Sequence, residues 1–135
     1  MLQRGKGGRY WANEYRQKGD IARQQRALED AYAYLERGKS ILPWDARFPE
    51  AQGRINLDLH RLDMALACFE QALRNHPHHP DILISLAQTH LNRALNQVEQ
   101  SETFDPATEQ RFNEDLTSTE AYAKRAIGLC PMLSE

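Results

Sequence analysis

The chain has 135 residues, 41% of them hydrophobic and 27% charged, with a net charge of −2. That length holds one domain with a core, and a near-neutral balance removes any global demand for nucleic acid or an anionic membrane. No stretch approaches the roughly 18 apolar residues of a membrane span, the N-terminus lacks the apolar core of a secretory signal, and Cys68 and Cys130 stand too far apart for a CxxC, which argues for free thiols against a disulfide framework or zinc site.

Residues 1–9 are rich in glycine and bases and show no periodicity, so they are expected to be a flexible basic arm. The string GKGG lacks the rest of a phosphate-binding loop, and no strand precedes it. From Arg4 to Arg26 lie seven bases against two acids, with Tyr10, Trp11 and Tyr15 among them. Aromatics between bases can stack on single-stranded nucleic acid; here they are expected instead to cap the apolar face of the first helix pair.

The remainder reads as helix. β-Branched residues are scarce, no segment alternates convincingly between apolar and polar, and breaks fall only at Pro43, Pro49, Pro77 to Pro80, Pro106 and Pro131. Helical stripes recur in chain order: Leu28, Ala31, Tyr32, Leu35 and Leu42; Phe48, Ala51, Ile55, Leu59 and Leu62; then Ala65, Cys68, Phe69, Ala72 and Leu73. A fourth joins Leu83, Leu86, Ala87, His90, Ala94 and Val98, and a fifth Phe112, Leu116, Thr119, Ala123 and Ala126. Asp105 as cap, Pro106 in the first turn and Glu109 soon after mark a helix start. Helices are therefore predicted over about 81–100 and 106–129, joined by an acidic, exposed tip. Seven acids against Arg111 lie between Val98 and Glu120, and they are expected to form a solvated face. The first region is less defined: one helix over about 20–41, with a shorter one before it, fits the pattern.

A 34-residue step runs through the chain. It relates Pro43 to Pro77, Gly19 to Gly53, Ala31 to Ala65, and Gly53 to Ala87. Within 46–79, Gly53 provides the small residue at a helix crossing, Ala65 and Ala72 keep the partner helix close, Phe69 fills the gap toward the next unit, and Pro77 ends the unit. Such a period with two helices per unit resembles the tetratricopeptide (TPR) repeat family. The resemblance covers about residues 12–131, in units of about 12–45, 46–79 and 80–131. The pattern is complete in the second unit. It is partial in the third, where about twenty residues are inserted around 97–117, and it is reduced to Gly19, Ala31 and Pro43 in the first. The resemblance implies an all-α fold of antiparallel helix-pair repeats, stacked as a short right-handed TPR-like solenoid within a single domain spanning 10–135.

The resemblance places a partner-binding groove on the first helix of each unit. The matching residues are Arg47, Glu50, Arg54 and Leu57 in the second unit, and Asp81, Ile84, Gln88 and Leu91 in the third. The positions that grip a C-terminal carboxylate in some family members hold Arg16, Asp20, Ala51, Asp81 and Ser85, of which only Arg16 suits that task. The histidines of HPHHP (His76, His78 and His79) lie in an inter-unit turn with no cysteine or acid at ligand spacing, so no metal site and no cofactor are expected. His90 lies on an apolar stripe, as a satisfied core histidine does. No nucleophile–base constellation, paired-carboxylate pocket or phosphate cradle is present in the pattern.

The expected function is accordingly a non-enzymatic protein-protein interaction module, an adaptor or scaffold that binds a partner peptide or helix, with no nucleic acid and no membrane insertion. One alternative is a soluble TPR segment of a larger bacterial protein: LPWD at 42–45 and GR at 53–54 resemble the repeat tails of O-antigen ligase-type membrane enzymes of polysaccharide assembly. Another is self-association, either through the uncapped last helix pair as a homodimer or head to tail between basic start and acidic tip. A cytoplasmic location follows if Met1 is the natural start.

Overall fold

A computed structural model describes the backbone of residues 2–129 and side chains from Lys18 onward. Every regular element among the described residues is an α-helix: α1 (Leu2–Ile41), α2 (Arg47–Asp58), α3 (Leu62–Asn75), α4 (Pro80–Gln100) and α5 (Pro106–Leu129). Proline sets most of the boundaries. Pro80 and Pro106 occupy the first helical positions of α4 and α5, where a missing N–H costs no bond and φ is already helical. Caps complete the starts. The Thr108 amide donates to Asp105 Oδ1 at 2.7 Å, and the Asp81 amide donates to His79 Nδ1 at 3.2 Å. Both long helices predicted for the third unit therefore form within a residue of the expected bounds.

The turn between α2 and α3 closes differently. His60 adopts φ 58°, while its amide donates to Leu57 O at 3.0 Å and the Arg61 amide to Asn56 O at 2.8 Å. These are the two bonds of a Schellman cap, with a non-glycine residue in the left-handed position that glycine usually fills.

The first region departs from expectation. Residues 2–41 form one helix, where a flexible arm through residue 9 and a separate short helix before about residue 20 were expected. No proline interrupts the chain before Pro43. Glycine in a helix costs only about 1 kcal/mol relative to alanine, so the glycines at 5, 7 and 8 weaken the helix without ending it. The chain divides into two units, residues 1–34 and 35–135. In the first, positions 20–27 are all exposed and Leu28 and Tyr32 are half-buried.

In the second unit, consecutive helices pack as antiparallel neighbours. Phe69 of α3 lies over Gly53 of α2 and Asn56 bonds Cys68, so residues later in α2 meet residues earlier in α3. Likewise Ala87 meets Thr119 and Arg93 meets Asp115 across α4 and α5. The end of α1 follows α3 in the same direction, with Lys39 Nζ 3.5 Å from Gln71 Oε1 and Asn75 donating to Pro43 O at 3.0 Å. Each of these pairs is 32 residues apart. The core sits between α3 and α4: Ala65, Leu66, Phe69, Ala72, Ile82 and Leu86 form one cluster, flanked by Ala46, Leu57, Leu73 and Tyr122.

Small residues make that packing possible. A Cβ on Gly53 would lie 2.6 Å from the Phe69 ring, and one on Gly38 would collide with Phe48. The 34-residue step also survives as a pattern of burial. Pro49 and Leu83, Gln52 and Leu86, Gly53 and Ala87, and Asn56 and His90 are all buried.

Candidate functional site

The eight residues expected to line a groove fall into two sets. On α2, Arg47 and Arg54 are exposed, Glu50 and Leu57 half-buried. The arginines are already paired. Arg47 forms a two-point contact with Asp45, with Nη2 to Oδ2 at 2.7 Å and Nε to Oδ1 at 3.1 Å, and Arg54 reaches Glu50 at 2.8 Å, one turn away. Side-chain and backbone donation from Arg47 lowers the Asp45 carboxyl to about 2. Leu57 turns toward the core cluster.

Arg47 and Glu50 meet Trp44, Asn75, His76 and His79 around a shallow cleft of about 430 Å³. Trp44 is 70% exposed there. The histidines contact each other edge to face at 4.9 Å, and His79 caps α4. HPHHP is thus a turn-and-cap device in this structure. No cluster of three or more metal-ligating side chains occurs among the described residues. Of the residues at carboxylate-clamp positions, Arg16 lies outside the described side chains. Asp20 is exposed and bonded to Arg23 at 3.1 Å, Asp81 is exposed, and Ala51 and Ser85 are half-buried.

On α4 the picture is simpler. Asp81 and Gln88 are exposed, as are Ile84 (41%) and Leu91 (39%). The exposed apolar line continues past them to Leu95 (50%) and Val98 (46%). Val98 therefore belongs to the outer side of α4, not to the buried stripe with Leu83 and Ala94. At positions 84, 88, 91, 95 and 98 the steps alternate four and three, so all five lie along one side of the helix. The signal for this extension was already present in the sequence as the 84, 91, 98 heptad.

The opposite side of α4 is fastened to α5 by charge. Asp115 is 2% exposed, where a solvated acid was expected. Arg93 donates to it from Nε and Nη2, the latter at 2.7 Å. Gln97 donates to Oδ2 at 3.2 Å, and His90 Nδ1 lies 3.0 Å from Oδ1. Arg93 also reaches the exposed Asp63 of α3 at 3.0 Å. Burial pushes the Asp115 carboxyl up, but the bonds from Arg93 and His90 outweigh it and hold the group below its ordinary value. The same contact, chiefly its hydrogen bonds to Asp115, raises Arg93. His90 is buried and stacked on Tyr122 at 5.7 Å, in keeping with a satisfied core histidine. The expected α5 stripe holds in part: Ala126 is buried and Phe112, Thr119 and Ala123 are half-buried, while Thr108 and Asp115 are buried as well and Leu116 is 37% exposed. A buried carboxylate is tolerated when it is paired and hydrogen-bonded, and α4 places those partners at 90, 93 and 97.

The result is an α4 fastened to α5 on one side, with a mostly apolar exposed seam on the other. Chemically it can offer van der Waals contact and one side-chain amide, Gln88, with carboxylates Asp81 and Glu99 near its ends. No helix is long and apolar enough to cross a membrane among the described residues. No protein-family model, curated protein or solved structure matches the chain.

Proposed function

We propose that this chain is a non-catalytic binding module of TPR-like solenoid architecture that receives a helix or peptide of a partner protein on the first helix of its last unit. The repetition of burial at a 34-residue step supports the repeat reading, as does the parallel course of the end of α1 and α3. The observation that carries the function is the exposed seam of Ile84, Gln88, Leu91, Leu95 and Val98. Four large apolar side chains along one exposed line, broken only by Gln88, are a signature of a surface that is covered in use. The spacing suits an amphipathic helix laid alongside it. The α2 set contributes less, because its arginines are committed to Asp45 and Glu50.

The test is fluorescence anisotropy with a panel of amphipathic helical peptides and scrambled controls. Binding by the helical peptides should be abolished in Leu91→Glu/Leu95→Glu and largely kept in Arg47→Ala/Arg54→Ala. Equal binding by all three proteins would remove the seam assignment.

A second reading has its own support. Leu57 and Leu73 pack against the core cluster to which α4 contributes Ile82 and Leu86. Their counterparts one unit on, Leu91 and Ile127, are 39% and 48% exposed. A further helix pair, in a longer protein or in another copy, would cover them as α4 covers the earlier two.

A further inference from the structure

The cleft between the α1–α2 turn and the α3–α4 turn is lined by rings and carboxylates. Asn75 donates to Pro43 O at 3.0 Å, which ties the two turns together and brings Trp44 beside His76 and His79. Three rings thus border about 430 Å³ of space, within the range of roughly 300–1,000 Å³ common to small-ligand sites. Trp44 is 70% exposed there, so its indole is open to a ligand. His79 Nδ1 accepts the Asp81 amide. A ring that accepts at one nitrogen is neutral and does not repel a cation.

Asp45 and Glu50 line the same cleft. Their side chains are only 15% and 13% exposed, whereas the arginines paired with them, Arg47 and Arg54, are 83% and 61% exposed. The carboxylates are set into the fold and the guanidiniums reach in from solvent. Asp45 is also held without its salt bridge, because Oδ1 accepts the Arg47 backbone amide at 3.0 Å. Exposed ion pairs contribute little, so each arginine can swing away and leave a carboxylate in place. Arg47 and Arg54 are cations that the chain itself supplies to these two groups.

We propose that this cleft binds an organic cation, a methylated ammonium group, with Trp44 against its alkyl surface, the imidazoles of His76 and His79 completing the enclosure, and Asp45 and Glu50 balancing its charge. Aromatic faces attract such cations, indole most strongly. Methyl groups shield the charge from water, so the group gives up less hydration on entering than a bare ammonium does. Arg47 and Arg54 compete with this ligand. The site is separate from the α4 seam and does not depend on it.

Isothermal titration calorimetry on the full chain tests this, with choline against the neutral alcohol in which carbon replaces the choline nitrogen, at constant ionic strength. Choline should bind about tenfold or more tightly than the alcohol, which has the same shape without the charge. Trp44→Ala and Asp45→Asn/Glu50→Gln should each weaken choline binding about tenfold. Arg47→Ala/Arg54→Ala should act in the opposite direction and tighten it about threefold, because the competing exposed pairs are gone. A peptide carrying trimethyllysine, compared with choline, tells a protein side chain from a free ligand by which binds more tightly. Circular dichroism checks each variant. Should Asp45→Asn/Glu50→Gln lose helix, Trp44→Ala and the arginine variant, both at exposed positions, still decide the matter. Equal binding of choline and the alcohol, no binding of choline, or binding unchanged by Trp44→Ala overturns the proposal. So does weaker choline binding in Arg47→Ala/Arg54→Ala, which would show that the arginines hold the ligand.

Discussion

The α2–α3 pair and the α4–α5 pair are both antiparallel helix pairs, yet they are held together by different physics. In the first, 12 and 14 residues meet through close packing: Phe69 fills the space left by Gly53, and Ala65 and Ala72 are wholly buried. In the second, 21 and 24 residues meet through a carboxylate. There Asp115 gathers Arg93, Gln97 and His90. Two antiparallel helix pairs in one fold are thus closed by different means. The charged version also leaves the apolar residues of α4 free to face outward.

The largest effect should come from removing the packing that closes the first pair. Phe69 is fully buried at the centre of the core cluster. Phe69→Ala should lower the free energy of unfolding by about 4 kcal/mol, the usual range for deleting a buried aromatic being roughly 3–5 kcal/mol. Urea denaturation followed by circular dichroism measures it. A loss below about 1 kcal/mol would mean that the first pair is not held by this ring.

The network closing the second pair should cost less to break, because Arg93 is about a third exposed and can rehydrate. Asp115→Asn should destabilise by about 2–3 kcal/mol, at or below the low end for breaking a buried ion pair. Its dependence on pH identifies the cause. The Asp115 carboxyl is held below its ordinary value of 3.8, so the native state binds fewer protons than the unfolded chain in that range. Its stabilisation is complete above 3.8 and is lost as pH falls through the lowered native value. Asp115→Asn should flatten this part of the acid stability profile, whereas Phe69→Ala should shift the whole profile without changing its slope. Identical slopes in the wild type and Asp115→Asn would show that the carboxylate does not close the pair.

The turn of the first pair offers a smaller change of opposite sign. His60 carries φ 58° inside a Schellman cap. Glycine at that position relieves the steric cost of a left-handed residue, though its unfolded chain is freer. His60→Gly should therefore raise stability by about 0.5–1 kcal/mol. Destabilisation would show that the His60 side chain makes a compensating contact.

How much of this was legible in the sequence follows from the range of each determinant. Pro80, Asp105 and Pro106 act within one turn, so the starts of α4 and α5 were readable to a residue. Gly53 was readable as a small residue at a helix crossing, whereas Phe69, expected to fill the gap toward the next unit, packs both on Gly53 of α2 and beside Ile82 and Leu86 of α4. Glycines at 5, 7 and 8 were weighted as breakers, although a helix can absorb them when no proline follows. Asp115 was read as solvated because its burial depends on Arg93, 22 residues away on another helix. The family resemblance placed Asp81, Ile84, Gln88 and Leu91 on α4, where all four are exposed, but it did not reach Leu95, or Val98, which also fits an inward stripe. Leu57 was placed on the groove by position within the repeat, while the core beneath it draws it partly inward.

The smallest expected effect on stability is the one that separates the two sides of α4. Leu95 is 50% exposed, on the side away from Arg93 and His90. Leu95→Glu removes no core contact and adds a charge that water solvates, so thermal unfolding of the isolated chain should shift by no more than about 0.5 kcal/mol, as surface substitutions generally do. Ala94, its immediate neighbour, is fully buried. Ala94→Glu would force a carboxylate into the α4 interface and should cost several times as much, about 3 kcal/mol or more. A flat response at 95 beside a steep one at 94 would establish that α4 has one side bound within the fold and one side held open. Equal losses at the two positions would mean that the seam is already covered within the folded chain.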